Sequence, residues 1–321
     1  MASRATRKKN TKPKKGSKKT AKRTSSKVVA VDFGAHTLKL AEVEHGPLGP
    51  IIKTFGVSPY RRTRNDQVDL VKTFEELKHD AGTATRDVLL VLPETDVFVL
   101  QGQNANNEIT QRCVVWPVEG TDQSICVPHV ALDFYRNVLE TAGSRLAGVQ
   151  HVPTALGRTF AGTRRGAALD IGAESSSWYV YDHGRVVQRS TIPYGSEALT
   201  KALALAHGWE MEVAEDHKRS LTGAPSTWPT TTAAVVSAYT NRWWNDLLSN
   251  LAHAPAHLER VVLTGGGSQS IPLREFIFDQ LGVIPEDWLL PPHAHVAESL
   301  RPHLEPHVPV LANSLSLLVY S

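Results

Sequence analysis

Cysteine is nearly absent: Cys113 and Cys126 are the only two among 321 residues. Two thiols cannot build a disulfide framework or close a four-ligand zinc site by themselves. No apolar run approaches the roughly 20 residues that a bilayer crossing needs. The basic N-terminus lacks the apolar stretch of a secretory signal, since Val28–Val31 runs straight into Asp32. These absences lead to the expectation of a reduced, cytosolic protein. Acid is missing from the start as well, for residues 1–27 carry 12 Lys and Arg and no Asp or Glu. The whole chain, with 35 basic and 32 acidic residues, has a formal charge of +3. Residues 28–321 alone hold 23 basic and 32 acidic residues, a net −9. An acidic body therefore carries a basic arm. A hydrophobic content of 41% with dispersed glycine and proline excludes collagen, coiled coil and disorder of the whole chain. A body of this length suggests two lobes, because single cores stop growing at about 250–300 residues.

Residues 1–27 have almost no apolar side chain to bury, so we expect a disordered, solvated basic tail. Three roles stay open for it: a solubilising extension, attraction to anionic lipid, and contact with nucleic-acid phosphates. No aromatic is interleaved there for base stacking.

From Val28 the pattern is that of an α/β chain. A short β-branched run ends in Asp32-Phe33-Gly34, and Leu38–Glu44 alternates as a strand. Val68–His79 and Ala131–Ala142 have helical apolar spacing, and Val88–Leu92, Val97–Leu100, Val114–Val118 and Ile125–Val127 read as strands. After Gly166 the opening recurs: Ala167–Ile171, an Asp170-Ile171-Gly172 turn, and a second strand at Ser177–Tyr181. Val186–Ile192 is a third strand, and helices are expected at 196–207, 210–220 and 229–252. Val261–Leu263 leads into Thr264-Gly265-Gly266-Gly267, followed by a helix at Leu273–Leu281. Residues 284–310 read as loop, histidines 293, 295, 303 and 307 included, and 311–320 as a last apolar helix. Trp243 and Trp244 read as core of the second half.

Three glycine turns carry the chemistry. They are Asp32–Lys39, Asp170–Ser176 and Thr264–Ser268. Glycine brings backbone N–H groups close to a ligand, and successive N–H groups make a concave anion site. Carboxylates at the strand ends suit a hydrated Mg²⁺, and Lys39 adds a positive point charge. In a body of net charge −9, Lys39 and backbone dipoles must attract any anionic ligand.

In order and wording, these turns resemble the actin/Hsp70/sugar-kinase ATPase superfamily. More closely, VVAVDFGAHTLKLAEVEHG, ALDIGAESSSWYVYDHGRVVQRSTIPYGSEALTKALA, AEDHKRS and VVLTGGGSQSIPLREFIFDQLGV are similar to PilM-like proteins of type IV pilus assembly, which are related to FtsA. The resemblance covers about residues 28–321. It implies an actin-like two-lobed α/β fold of duplicated ribonuclease H-like domains, with a small, shortened inserted subdomain in the first lobe. The implied division is a first lobe at 28–87 and 149–165, an insert at 88–148 and a second lobe at 166–321. It implies ATP or ADP with Mg²⁺, the metal held through water by Asp32 and Asp170. Phosphates would lie against Gly34, Ala35, His36, Thr37 and Lys39 and against Gly172, Ala173, Glu174 and Ser175. Adenosine would meet Glu215, Lys218, Gly265, Gly266, Gly267 and Ser268. Ala35 stands where such turns present a serine, and Gln150 or His151 is the candidate to orient attacking water. We therefore expect nucleotide binding with weak or absent hydrolysis.

The implied role is a cytoplasmic scaffold, peripheral at the inner membrane, that binds the short cytoplasmic tail of a PilN-like pilus or secretion protein. Self-association stays open. An FtsA-like membrane-tethered homologue and a sugar- or acetate-kinase-type enzyme are the alternatives.

Overall fold

The computed structural model describes residues 26–60, 67–101, 107–117, 123–221, 225–251, 257–269 and 273–319. Most of the basic arm, residues 1–25, lies outside them. Ser26 and Lys27 do not belong to an arm, because they pair with His45 and Glu44 in the first strand.

In the first half, β1 (Ser26–Phe33), β2 (Thr37–Gly46) and β3 (Gly49–Pro59) form an antiparallel meander. It is followed by α1 (Gln67–Asp80), β4 (Asp87–Leu92), β5 (Phe98–Gln101), α2 (Asn107–Arg112), β6 (Cys113–Pro117) and β7 (Gln123–Pro128). Then come α3 (His129–Thr141), β8 (Arg145–His151) and α4 (Val152–Gly157). The second half opens on another meander, β9 (Arg165–Ile171), β10 (Ser176–Asp182) and β11 (Arg185–Ile192). After it come α5 (Ser196–His207), α6 (Met211–Ser220), α7 (Thr230–Ser249), β12 (Arg260–Thr264), α8 (Leu273–Leu281) and β13 (Pro285–Asp287). The chain ends with β14 (His295–Val296), α9 (Arg301–Leu304) and α10 (Ala312–Val319).

The two large sheets have matching plans. One has the order β14-β3-β2-β1-β4-β8 and the other β11-β10-β9-β12-β13. In each, a meander lies beside parallel strands: β1, β4 and β8 in the first sheet, β9, β12 and β13 in the second. The repeated strand, Asp-x-Gly turn and strand of the sequence thus begin a repeated sheet. β14 then pairs in parallel with β3, through His295 and Ile51, and ties the second half back to the first sheet.

Burial follows from the apolar runs. Val29, Val31 and Phe33 point from β1 to the outer side of the first sheet, where Leu70 and Phe74 of α1 and Tyr135 of α3 cover them. Ala30 points to the other side, into a core shared by both sheets. That core also holds Val91, Leu156 of α4, Tyr179 and Tyr181 of β10, Val262 of β12 and Leu315 of α10. Every residue of α10 is buried, the polar Asn313, Ser314 and Ser316 included. The outer side of the second sheet packs Trp178 and Leu263 against α5 and α7, with Trp243 at 0% and Trp244 at 3% exposure. Both tryptophans are core, and Trp244 meets Trp178 edge-on at 5.5 Å between ring centroids.

Several expectations change. β3, β8 and α4 are regular elements that the sequence pattern did not mark. Residues 284–310 include β13 and β14, and His293 and His295 approach the carbonyls of Val319 and Leu48 at 2.9 and 3.1 Å. The polar stretch after Leu100 contains α2, another helix that the sequence pattern did not mark. The small sheet, of order β5-β7-β6, spans Phe98–Pro128 rather than 88–148, because β4 and β8 pair into the first large sheet. Among the described residues no helix is long and apolar enough to cross a membrane.

Candidate functional site

The parallel strands end where the two halves meet. In open α/β sheets ligands bind beyond the carboxyl ends of the strands. Here those ends present Asp32 from β1, His151 from β8, Asp170 from β9 and Thr264 from β12. The strand register places Gln150 level with Asp32, both lying opposite Val91.

Asp32 and Lys39 face each other across the β1–β2 hairpin, and Lys39 Nζ donates to Asp32 Oδ2 at 2.9 Å. They are 5% and 7% exposed, so neither charge is offset by water. Burial by itself would lower the Lys39 ammonium, but Asp32 and then Asp170 outweigh it and raise it above its ordinary value. Asp170 accepts from Thr264 Oγ1 at 3.1 Å and from Asn313 Nδ2 at 3.2 Å. Burial pushes its carboxyl up, and Lys39, Asn313 and Thr264 only partly restrain it. One ammonium thus serves two carboxylates from opposite halves.

The first two turns share one construction. Gly34 N–H closes the first turn on Thr37 O at 3.1 Å, and Gly172 N–H closes the second on Ser175 O at 2.9 Å. Those two amides are therefore spent inside the turns. The N–H groups of Ala35, His36, Ala173 and Glu174 at the tips make no backbone hydrogen bond among the described residues. Tyr60, just past β3, braces the first turn through its hydroxyl on Gly34 O at 2.5 Å and its N–H on His36 O at 2.8 Å. The start of α5 braces the second, with Ser196 and Glu197 N–H donating to Gly172 O and Ala173 O.

The third turn folds over Asp170. Gly265 has φ +83°, a conformation that side chains rarely tolerate, and a Cβ there would lie 2.5 Å from Ile171 O and 2.6 Å from Asp170 Oδ1. Ser268 closes the turn by donating to Gly265 O at 2.7 Å. Gly266, in contrast, faces open space.

Glu215 and Lys218 lie on α6, but Lys218 turns inward. Its side chain is 1% exposed, and the ammonium meets Glu215 Oε2 at 2.6 Å, Thr200 Oγ1 at 2.8 Å and Ser196 O at 3.2 Å. An ammonium has three hydrogens, so these partners occupy it fully. Lys218 braces α6 against α5. Burial by itself would raise Glu215, but its bonds to Lys218 and Thr200 and the Arg219 charge hold its carboxyl below the ordinary range.

Sequence reasoning missed Glu94, Asn313 and Arg189. Glu94 follows β4 and is buried, with His151 Nε2 at 2.6 Å and Arg189 Nη1 of β11 at 3.5 Å. Burial would raise the Glu94 carboxyl, but His151 and Arg189 outweigh that and hold it below the ordinary 4.5. The stability this supplies is complete above the unfolded value and is lost as pH falls through the lowered folded one. Glu94→Gln is therefore expected to shift the urea midpoint clearly near pH 6, with the difference shrinking toward about pH 3. A difference that stays constant over that range would contradict the assignment.

No protein-family model matches the sequence, and neither does any curated protein. Solved structures do match. The chain is similar to the PilM–PilN type IV pilus biogenesis complex, with TM-score 0.74 and 20% identity over 91% of this chain and 98% of that one. It is also similar to the ethanolamine utilization protein EutJ from Carboxydothermus hydrogenoformans, with TM-score 0.59 and 16% identity over 92% and 90% of the two chains. A third likeness is to MreB5 of Spiroplasma citri bound to ADP, with TM-score 0.52 and 12% identity over 82% and 92%. The duplicated sheets, the turns between them and these likenesses together give the chain the actin-like two-lobed fold, shared over nearly its full length with PilM.

Proposed function

We propose that the chain binds ATP or ADP between its two halves and serves as a cytoplasmic scaffold at the inner membrane, holding the short cytoplasmic tail of a PilN-like pilus or secretion protein. The observation that carries the nucleotide half is the convergence of three glycine turns around the buried Lys39, with the tip amides of the first two making no backbone hydrogen bond. Such amides with one ammonium suit a polyphosphate. The partner half rests on the likeness to the PilM–PilN complex.

In this reading the amides of Ala35, His36, Ala173 and Glu174 receive the β- and γ-phosphates, and Gly34 and Gly172 shape the turns. Gly265, Gly266 and Gly267 form the flat floor for adenosine, and the half-buried Glu215 of α6, already bonded to Lys218, Thr200 and Arg219, lies toward the ribose. Asp32 and Asp170 fit a hydrated Mg²⁺: each is a hard oxygen donor, and a carboxylate has more lone pairs than the protein bonds made here use. Bound there, Mg²⁺ would offset phosphate charge. Gln150 is the candidate to orient water, while His151 is engaged with Glu94. With alanine at 35 and no hydroxyl toward the terminal phosphate, hydrolysis is slow or absent. Closure of the halves on nucleotide then adjusts the grip on the partner peptide.

The test has two steps on the full chain: binding of ATP with Mg²⁺, then binding of a synthetic PilN-type cytoplasmic peptide with and without ATP. Peptide affinity that responds to ATP supports the scaffold reading. A chain that binds ATP but no such peptide would leave the fold and the nucleotide site standing and overturn the partner.

A further inference from the structure

We propose that His36, Glu174 and Glu197 form a binding site for a divalent cation of the zinc class, one that bridges the two halves of the molecule. The three residues come from separate elements: His36 from the tip of the first turn, Glu174 from the tip of the second, and Glu197 from the first turn of α5. One donor atom from each lies within 4.8 Å of the others. His36 Nε2 is 3.7 Å from Glu174 Oε1 and 3.6 Å from Glu197 Oε2. Two ligands of a tetrahedral zinc ion, each about 2.1 Å from the metal, stand about 3.4 Å apart. The imidazole–carboxylate separations are within a few tenths of an ångström of that spacing.

Charge favours a cation there. Two carboxylates, those of Glu174 and Glu197, approach one imidazole. Among the described residues Lys201 lies 3.2 Å from Glu197, and the Lys218 ammonium also interacts with that carboxylate but is held by Glu215. No ion pair of Glu174 with a Lys or Arg is present among the described residues, whereas Asp32 has Lys39. The donors are also partly exposed, with side chains at 37%, 54% and 24%, so an ion can enter and keep a fourth position for water. The scaffold is firm on one side, because α5 donates from Ser196 and Glu197 into the second turn and so fixes Glu197 beside Glu174. Only His36 belongs to the other half. An ion held by all three would therefore stabilise the closed arrangement without needing nucleotide.

One imidazole and two carboxylates make a borderline donor set that suits zinc and cobalt better than magnesium, which prefers oxygen alone. This separates the site from the deep carboxylates Asp32 and Asp170.

The experiment titrates Co²⁺, a spectroscopic substitute for Zn²⁺, into the full chain without nucleotide and with excess Mg²⁺ present. The expected result is one equivalent bound with visible ligand-field bands, displaced by Zn²⁺. His36→Ala and Glu197→Gln should each weaken binding by at least about tenfold. Glu76→Gln, an exposed carboxylate on α1 outside the cluster, should leave it unchanged, and circular dichroism checks that each variant is folded. Absence of ligand-field bands in the wild type, or equal affinity in the wild type, His36→Ala and Glu197→Gln, would overturn the proposal. Because ATP is absent throughout, failure here is distinct from failure of the nucleotide reading.

Discussion

Lys39→Met is expected to cost about 3–5 kcal/mol of folding stability, the loss typical when one partner of a buried ion pair is removed. The methionine fills similar volume, so the effect isolates the charge. Without the ammonium, Asp32 loses its 2.9 Å partner and Asp170 loses the charge that most restrains its raised carboxyl. Lys39 itself is raised above 10.5, so its contribution is complete below the unfolded value and is lost only as pH rises through the folded one. Urea unfolding near neutral pH measures the change. A double variant, Lys39→Met with Asp170→Asn, should recover part of the loss because it removes one of the two stranded charges. A single-variant loss below about 1 kcal/mol would mean that water screens the pair despite its burial.

The second large effect is expected at the third turn. Gly265→Ala should destabilise the fold by about 3 kcal/mol, from a disfavoured left-handed backbone together with overpacking. The methyl group would meet Ile171 O, the Asp170 carboxylate and Ile171 C at 2.5, 2.6 and 2.8 Å, so backbone must move. Gly266→Ala is the matched control. Nothing lies within 4 Å of its Cβ position, so stability should change little. If the turn is the floor for adenosine, the same Gly266 methyl should still weaken ATP binding by about tenfold. Differential scanning fluorimetry with and without ATP reads both effects. Equal melting temperatures for the Gly265 and Gly266 variants would contradict the close packing of Gly265 over Asp170.

What the sequence made legible was the local grammar. A β-branched run ending in Asp-x-Gly and followed by an alternating strand is a complete hairpin signal, and it occurs at Asp32 and again at Asp170. Those two hairpins seed the two sheets. β3 gave no such signal, because its burial hardly alternates and its ends are Gly49-Pro50 and Pro59. β8 has Gly148 at its centre and reads as loop until β4 is found beside it. The partners of Asp170 were invisible for a different reason. Thr264 and Asn313 lie 94 and 143 residues away, and only the folded topology brings them to one carboxylate. Lys218 is a different case. The resemblance implied a ligand contact for it beside Glu215, but an i,i+3 pair can face either way, and packing of α6 on α5 turned the ammonium inward.

Lys27 adds a detail about where the arm begins. Its ammonium reaches Glu42 of β2 at 3.4 Å, so it is the strand's own residue, and 11 of the 12 basic residues precede the described chain. The body that remains is acidic, and attraction of a nucleotide depends on local groups rather than on net charge.

The most direct measurement is calorimetric titration of the full chain with ATP in Mg²⁺, repeated on Asp170→Ala. The expected result is saturable one-to-one binding by the wild type, competed by ADP, and at least about tenfold weaker binding by the variant while it remains folded by circular dichroism. A wild type that shows no binding, or an Asp170→Ala protein that binds ATP as tightly, would contradict a nucleotide site built on these turns.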